Sequence, residues 1–278
     1  MSLVPRPATL GLALVLLSAV SLHAQGYRYR AQPGDSASYR LTSTARIHQE
    51  FQGDSTNVTV RSEAVLNVVD VQAEPETLSY GVTFDSLSIR FDDAAMPSPD
   101  VTPILGRIMT LSVSPTGRLR ALEIPPDIPA ALTGCDLRQM LSNFLPRFPE
   151  VAGAEASWSD TLSFGCLQQG IEAQVRVVTT YAPRASQAEG EGGPEGEVQL
   201  AYSTETTLSG KGEQNGTPLL LDGHGRGAGT IRMGPRGEVF LGSIGRQTLE
   251  LEVEAAPPGS PPIRIPVRQE ITSEVRRR

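Results

Sequence analysis

Beyond its first 24 residues this chain holds few side chains that could do chemistry: two histidines, two cysteines and one glycine-rich run stand out. His48 and His224 are far apart, and neither HExxH nor a Cys/His cluster accompanies them. A zinc site needs three or four clustered ligands, so no metal is expected. His224 sits in Asp222-Gly223-His224, but alternation puts Asp222 and His224 on the solvent side of a strand. Neither the G-x-S-x-G elbow nor S-x-x-K occurs, which removes the common nucleophilic hydrolases. Gly223-His224-Gly225-Arg226-Gly227-Ala228 formally matches the dinucleotide fingerprint. That fingerprint needs a strand before it and a helix opening within it, whereas here apolar alternation continues on both sides. No cofactor, and no enzyme, is expected.

The same glycines matter for another reason. Gly223, Gly225, Gly227 and Gly229 share parity with Leu219, Leu221, Ile231 and Met233, so the core-facing side of this strand is bare. Glycine in a strand lets it bend or lets another body approach the backbone. That body is either a covering helix at Asp136–Leu145 or an apolar ligand on a concave face.

Cys135 and Cys166 are the only cysteines. In an exported chain such a pair most simply forms one disulfide, and no redox CxxC is present. Glu250, Glu252 and Glu254 alternate on one strand, and Arg264, Arg268 and Arg276 on the next. A hairpin through Pro257–Pro262 brings Glu252 near Arg264 as a solvated cross-strand ladder, not an acid/base pair.

The elements that position these residues read as long strands. Ala37, Tyr39, Leu41, Ala45, Ile47 and Phe51 alternate with polar residues, and the pattern recurs to Val275. Apolar parity shifts at Val69 and at Leu87, which predicts β-bulges near Leu66–Val69 and Asp85–Ser86. Strands this long coil a sheet, so the expected fold is mainly β: a long, coiled antiparallel sheet, half-barrel or open barrel, with one short covering helix. That helix is predicted at Asp136–Leu145 and stopped by Pro146, with a further helical turn at Asp127–Leu132. The acidic Ser186–Glu197 run has nothing large to bury and reads as a dispensable hairpin tip. Gly34–Tyr39 aligns with Gly153–Trp158, and Pro115-Thr116-Gly117 with Pro235-Arg236-Gly237. Residues 25–278 therefore read as one β domain whose halves, about 26–149 and 150–278, align as two repeats. Tyr39 and Trp158, at equivalent places, are expected to pack in the core or at its rim.

Residues 1–24 read as a signal peptide, with Arg6, the apolar run Leu10–Val20 and a Leu22-His23-Ala24 cleavage site. Arg6 is the only charge in that segment, so a net charge of −7 for the chain becomes −8 once it is removed. An acidic exported protein, periplasmic or extracellular, is a poor partner for nucleic acid. Asn57-Val58-Thr59 and Asn215-Gly216-Thr217 fit a glycosylation sequon, but the Arg- and Pro-rich composition is bacterial in character.

Three runs carry a resemblance. They are the strand openings Gly34–Tyr39 and Gly153–Trp158, the turn Ser114-Pro115-Thr116-Gly117-Arg118-Leu119, and Leu145-Pro146-Arg147-Phe148-Pro149 leading to Gly153 and Trp158. Together they resemble an uncharacterised family of exported bacterial β-proteins, with Ala154 where Asp is commoner. The resemblance implies no activity and no catalytic residue. By architecture the chain is distantly similar to the periplasmic lipoprotein carriers, whose half-barrels hold acyl chains. The expectation is a non-catalytic envelope protein with a hydrophobic or lipid-like ligand on a concave sheet face. The alternative is a structural or protein-interaction module without a cavity. Oligomeric state is left open.

Overall fold

Period-two alternation puts apolar side chains on one side of each strand, and burying that side forces the strands into a common sheet. A computed structural model shows the result. It describes residues 27–278 except 31, 52, 94–95, 130–131, 150–156, 169, 185–196 and 215, and all their side chains but those of 135, 136, 168 and 236. The predicted signal peptide, residues 1–24, lies outside the described residues.

The strands are β1 (Ser36–Phe51), β2 (Asp54–Ala73), β3 (Leu78–Phe91), β4 (Met109–Val113) and β5 (Leu119–Glu123), followed by helix α1 (Cys135–Ser142). Then come β6 (Trp158–Gln168), β7 (Ile171–Pro183), β8 (Val198–Gln214), β9 (Thr217–Met233), β10 (Phe240–Ala255) and β11 (Ile263–Arg277). They form one antiparallel sheet of eleven strands in the order β5-β4-β3-β2-β1-β11-β10-β9-β8-β7-β6. The sheet is mainly β architecture in open half-barrel form: β5 and β6 end it and do not pair with each other.

Two register shifts distort β2 and β3. Val65 pairs with Ser86 but Leu66 with Phe84, so Asp85 is the extra residue, as the parity shift predicts. Leu78, Tyr80, Val82 and Phe84 face the core before the bulge, and Leu87 and Ile89 lie on that face after it. The second bulge sits at Val71, between the pairs of Asp70 and Gln72, rather than at Leu66–Val69. β2 keeps its parity through Val68, and Val69 and Val71 are exposed. Val71 covers the outer side of Gly81, where a Cβ would lie 3.3 Å from it and 3.6 Å from Ile108.

The main core gathers at one end of the sheet. Leu66, Val82, Phe84, Met109, Leu200 and Met233 are buried there beneath Leu137 and Leu141 of α1 and the side chains of Phe144 and Phe148. Helix α1 ends at Ser142, three residues short of the predicted Leu145. Asn143 N–H closes onto Gln139 O and Phe144 N–H onto Leu141 O. That tightened last turn swings Phe144 into the core ahead of the extended approach that a proline imposes on its predecessor. Asp127–Leu132 gives only single turns, Ile128 N–H to Pro125 O and Leu132 N–H to Pro129 O.

The open seam between β5 and β6 is closed by side chains at this same end. Helix α1 packs against both edge strands. Arg147, 6% exposed, donates to Asp160 of β6 at 2.5 Å, to Ser142 O at 3.0 Å and to Asn143 at 3.3 Å. Trp158 Nε1–H donates to Arg147 O at 2.7 Å, and Phe148 N–H to Thr116 O beside β5 at 2.8 Å. Arg118, leading into β5, lies 3.8 Å from the same Asp160.

Two Pro-x-Gly turns flank the clasp, one after β4 and one after β9. Gly117 and Gly237 take φ of 81° and 73°, a region side-chain residues avoid. Tyr29 lies against Gly117 and Tyr27 against Gly237. Tyr29 N–H bonds to Pro115 O and Arg30 N–H to Glu238 O, so the segment entering β1 ties both turns together.

Removing one partner of a buried pair leaves the other charge uncompensated, which typically costs about 3–5 kcal/mol. Asp160→Asn is therefore expected to lower unfolding free energy by about 3 kcal/mol, measured by urea denaturation. The Arg147→Met/Asp160→Leu double variant should recover part of that loss. A single-variant loss under about 1 kcal/mol would remove the clasp from the account.

Candidate functional site: the apolar face beside the glycine stripe

Parity along β9 is as read from the sequence. Gly223 and Gly225 are buried and Gly227 and Gly229 half-buried, while His224, Arg226 and Ala228 between them are exposed. What lies over the stripe is neither helix α1 nor an open hollow. The helix packs on β5 and β6, several strands away. Side chains of the adjoining strands cross the glycines instead. A Cβ on Gly223 would sit 2.4 Å from Leu251 Cδ2, and one on Gly225 2.3 Å from Leu249 Cδ2. On Gly227 it would meet Thr204 Oγ1 at 2.5 Å, and on Gly229 the ring of Tyr202 at 2.7 Å.

One hydrogen bond shows why glycine is required. Gln247 on β10 donates to Thr206 on β8 at 3.1 Å, although β9 runs between those strands. The side chains can meet only because β9 presents no Cβ there. The sheet also bends across β8, the strand between β7 and β9. β7 and β9 approach within 8 Å at their Cα atoms, whereas next-but-one strands of a flat sheet stand about 9.6 Å apart. Leu162, Ala173, Val175, Val177 and Leu219 are buried in this bent region, apart from the main core. Gln247 breaks an otherwise apolar row with Leu249, Leu251 and Val253, which was the signal in the sequence that something polar crossed here.

Toward the hairpin ends the same face stays apolar but loses its cover. Ile47, Leu249, Leu251, Val253, Ile265 and Val267 are all half-buried. The opposite face of these strands is charged and exposed, with Arg46, Glu250, Glu252, Arg264 and Arg268. Arg264 reaches Glu252 at 3.5 Å and Glu254 at 3.2 Å, the ladder expected from the hairpin through Pro257–Pro262. A lipid-facing barrel wall needs the reverse polarity, apolar outside and polar within. No helix among the described residues is long and apolar enough to cross a membrane.

The other sequence candidates fall apart from this face. His48 lies between Asn57 Oδ1 at 2.9 Å and Glu50 Oε1 at 3.2 Å, and hydrogen bonding to those acceptors raises its pKa above the usual histidine value. His224 faces Glu250 at 3.3 Å on the solvent side. No group of three or more metal-ligating side chains occurs among the described residues. Tyr39 and Trp158 both pack inward. Tyr39 stacks with Phe240 at 5.7 Å, donates to Phe240 O, and has its phenol pushed up to about 12, chiefly by burial. Trp158 stacks on Tyr181 at 5.4 Å. Of the acidic run, residues 186–196 lie outside the described residues, but Glu197 is no free tip residue. It accepts from Arg232 at 2.7 and 2.8 Å, and that hydrogen bonding lowers its pKa. The backbone of α1 begins at Cys135 and β6 carries Cys166 near its end, while the Cys135 side chain lies outside the described residues.

No protein-family model matches the chain, and no curated protein does. Among solved structures it is similar to DynF from the dynemicin biosynthesis pathway of Micromonospora chersina, at 10% identity and TM-score 0.22 over 96% of this chain and 92% of that one. It is also similar to Pseudomonas aeruginosa OccK2 in complex with glucuronate, at 10% identity and TM-score 0.29 over 88% and 100%. A third similarity is to the outer membrane protein OprD of Pseudomonas aeruginosa, at 8% identity and TM-score 0.28 over 92% and 96%. These are not lipoprotein carriers, and TM-scores this low transfer neither fold nor function.

Because neighbouring backbone is also close, with Thr248 O 2.6 Å from the Gly225 Cβ position and Ile244 O 2.2 Å from that of Gly229, even a methyl group is excluded. Gly225→Ala and Gly229→Ala are each expected to cost about 1–3 kcal/mol by overpacking. Arg226→Ala, one residue away on the outer face, should cost under about 0.5 kcal/mol. Thermal or urea unfolding compares the three. Equal tolerance at both parities would contradict the packing described.

Proposed function

We propose that the chain is a non-catalytic exported envelope protein that holds an apolar, lipid-like ligand on the uncovered part of its inner sheet face. The observation that supports this is the half-exposed apolar row of Ile47, Leu249, Leu251, Val253, Ile265 and Val267, which neither α1 nor the main core covers. Apolar surface left open on a charged chain is where a ligand or partner gains most from desolvation. The ligand site in this reading lies beside the glycine stripe rather than on it, since the stripe is filled by Leu249, Leu251, Tyr202 and Thr204. That filling favours the second reading, a protein-interaction module, for the bent part of the sheet. The Cys135–Cys166 bridge belongs to the same proposal, as a staple between the helix and β6 in an oxidising compartment.

Native mass spectrometry of protein purified from its own host should show a retained lipid, and a fluorescent fatty-acid probe should bind. Leu251→Glu/Val267→Glu should abolish probe uptake, whereas His224→Glu on the opposite face should not. Absence of both lipid and probe binding would leave the interaction module as the better account. For the cysteines, thiol titration of denatured, unreduced protein should find no free thiol, and two thiols per chain would sink the bridge.

A further inference from the structure

On the opposite face of the sheet, at the free ends of β2 and β3, Arg61 and Arg90 are direct cross-strand partners. Both point away from the core, since Ala64 and Leu66 on β2, and Leu87 and Ile89 on β3, occupy the other parity. Like charges directly opposite one another destabilise a sheet unless something neutral or negative stands between them. Neither Arg61 nor Arg90 is in an ion pair within 4 Å among the described residues, and Arg61 acts on the Asp92 carboxyl only through its charge. A hollow of about 440 Å³ opens here, lined by Thr59, Arg61, Glu63, Ser88, Arg90, Phe91 and Asp92.

The two acids of the hollow already have partners. Glu63 pairs with Arg40 at 3.3 Å. Asp92 accepts the Thr59 N–H at 2.6 Å and the Thr59 hydroxyl, and those bonds, with a smaller pull from the charge of Arg61, hold its carboxyl below the usual range. The Ser88 hydroxyl shares the outer face with the two guanidiniums, and Arg46, the cross-strand partner of Thr59, adds a further positive charge on that face. Two planar forks and a hydroxyl on adjacent strands suit a tetrahedral oxyanion.

We propose that this hollow binds a phosphate group through Arg61 and Arg90, with Ser88 as a hydroxyl donor, independently of any ligand on the inner face. The phosphate has two possible sources, a free anion or a lipid headgroup. The test uses the full chain, inorganic phosphate by titration calorimetry and melting, and vesicles of phosphatidylcholine with or without phosphatidic acid. Phosphate should raise the melting temperature of the unaltered protein. Arg61→Gln and Arg90→Gln should each weaken phosphate binding at least about tenfold, the order of one charge-assisted contact. Without phosphate both variants should melt at the same temperature as the parent or higher, since the like-charge pair is relieved, and this reading also reports that they fold. Arg176→Gln on distant β7 should bind as the parent does. Arginine-dependent retention on phosphatidic acid vesicles assigns the headgroup, and phosphate binding without vesicle binding assigns the free anion. No phosphate binding, or binding unchanged in both arginine variants, overturns the site.

Discussion

An antiparallel sheet that does not close on itself leaves two strand edges, and the rest of this molecule depends on how those edges are brought together. Here β5 is too short to pair along β6, so the join is made by a buried guanidinium rather than by a ladder. Arg147 reaches β6 through Asp160 and the end of α1 through Ser142 O, while the adjacent Phe148 N–H reaches Thr116 on the β5 side. A planar donor with five N–H groups can satisfy three acceptors at once, which a lysine in the same place could not do with the same geometry. Burial of the pair is tolerable because Arg147's hydrogen bonds go to fixed acceptors, and because no buried side-chain nitrogen or oxygen among the described residues is left without a partner.

Curvature is the second constraint, and it lies beside a line of the inner face that has no side chains. The β9 glycines remove four Cβ atoms from the inner face, and Leu249, Leu251, Tyr202 and Thr204 fill the space. Beside that line the sheet bends across β8, where β7 and β9 come into range of each other. The bend divides the inner face in two. One part closes into packed structure, and the part toward the hairpin ends keeps apolar side chains in partial contact with water.

Much of this was legible in the chain. Alternation identified the strands and their inward parity, including that of the glycines, because a period of two leaves no freedom about which face is buried. The bulge at Asp85 was legible for the same reason, since an inserted residue must flip parity. The second bulge was misplaced because apolar Val69 and Val71 imitate a flip while lying exposed on the outer face, Val71 over Gly81. The helix was readable in place but not in length, as its end is set by Phe144 turning into a core that sequence spacing does not show. The run Leu145–Phe148 carried only a resemblance in the sequence, yet it is the clasp of the seam.

By itself, then, the sequence determined a mainly β chain with one short helix, a bare glycine line on the inner face and a charged outer one, because each follows from local periodicity. What covers the glycines was decided only by tertiary structure. Whether a helix, a ligand or a neighbouring strand crosses a gap depends on sheet curvature and strand order, and those join residues far apart in the chain. The same holds for Arg147 with Asp160 and for Arg61 with Arg90. Register and closure, not composition, placed the one pair in contact inside the seam and the other side by side on the outer face.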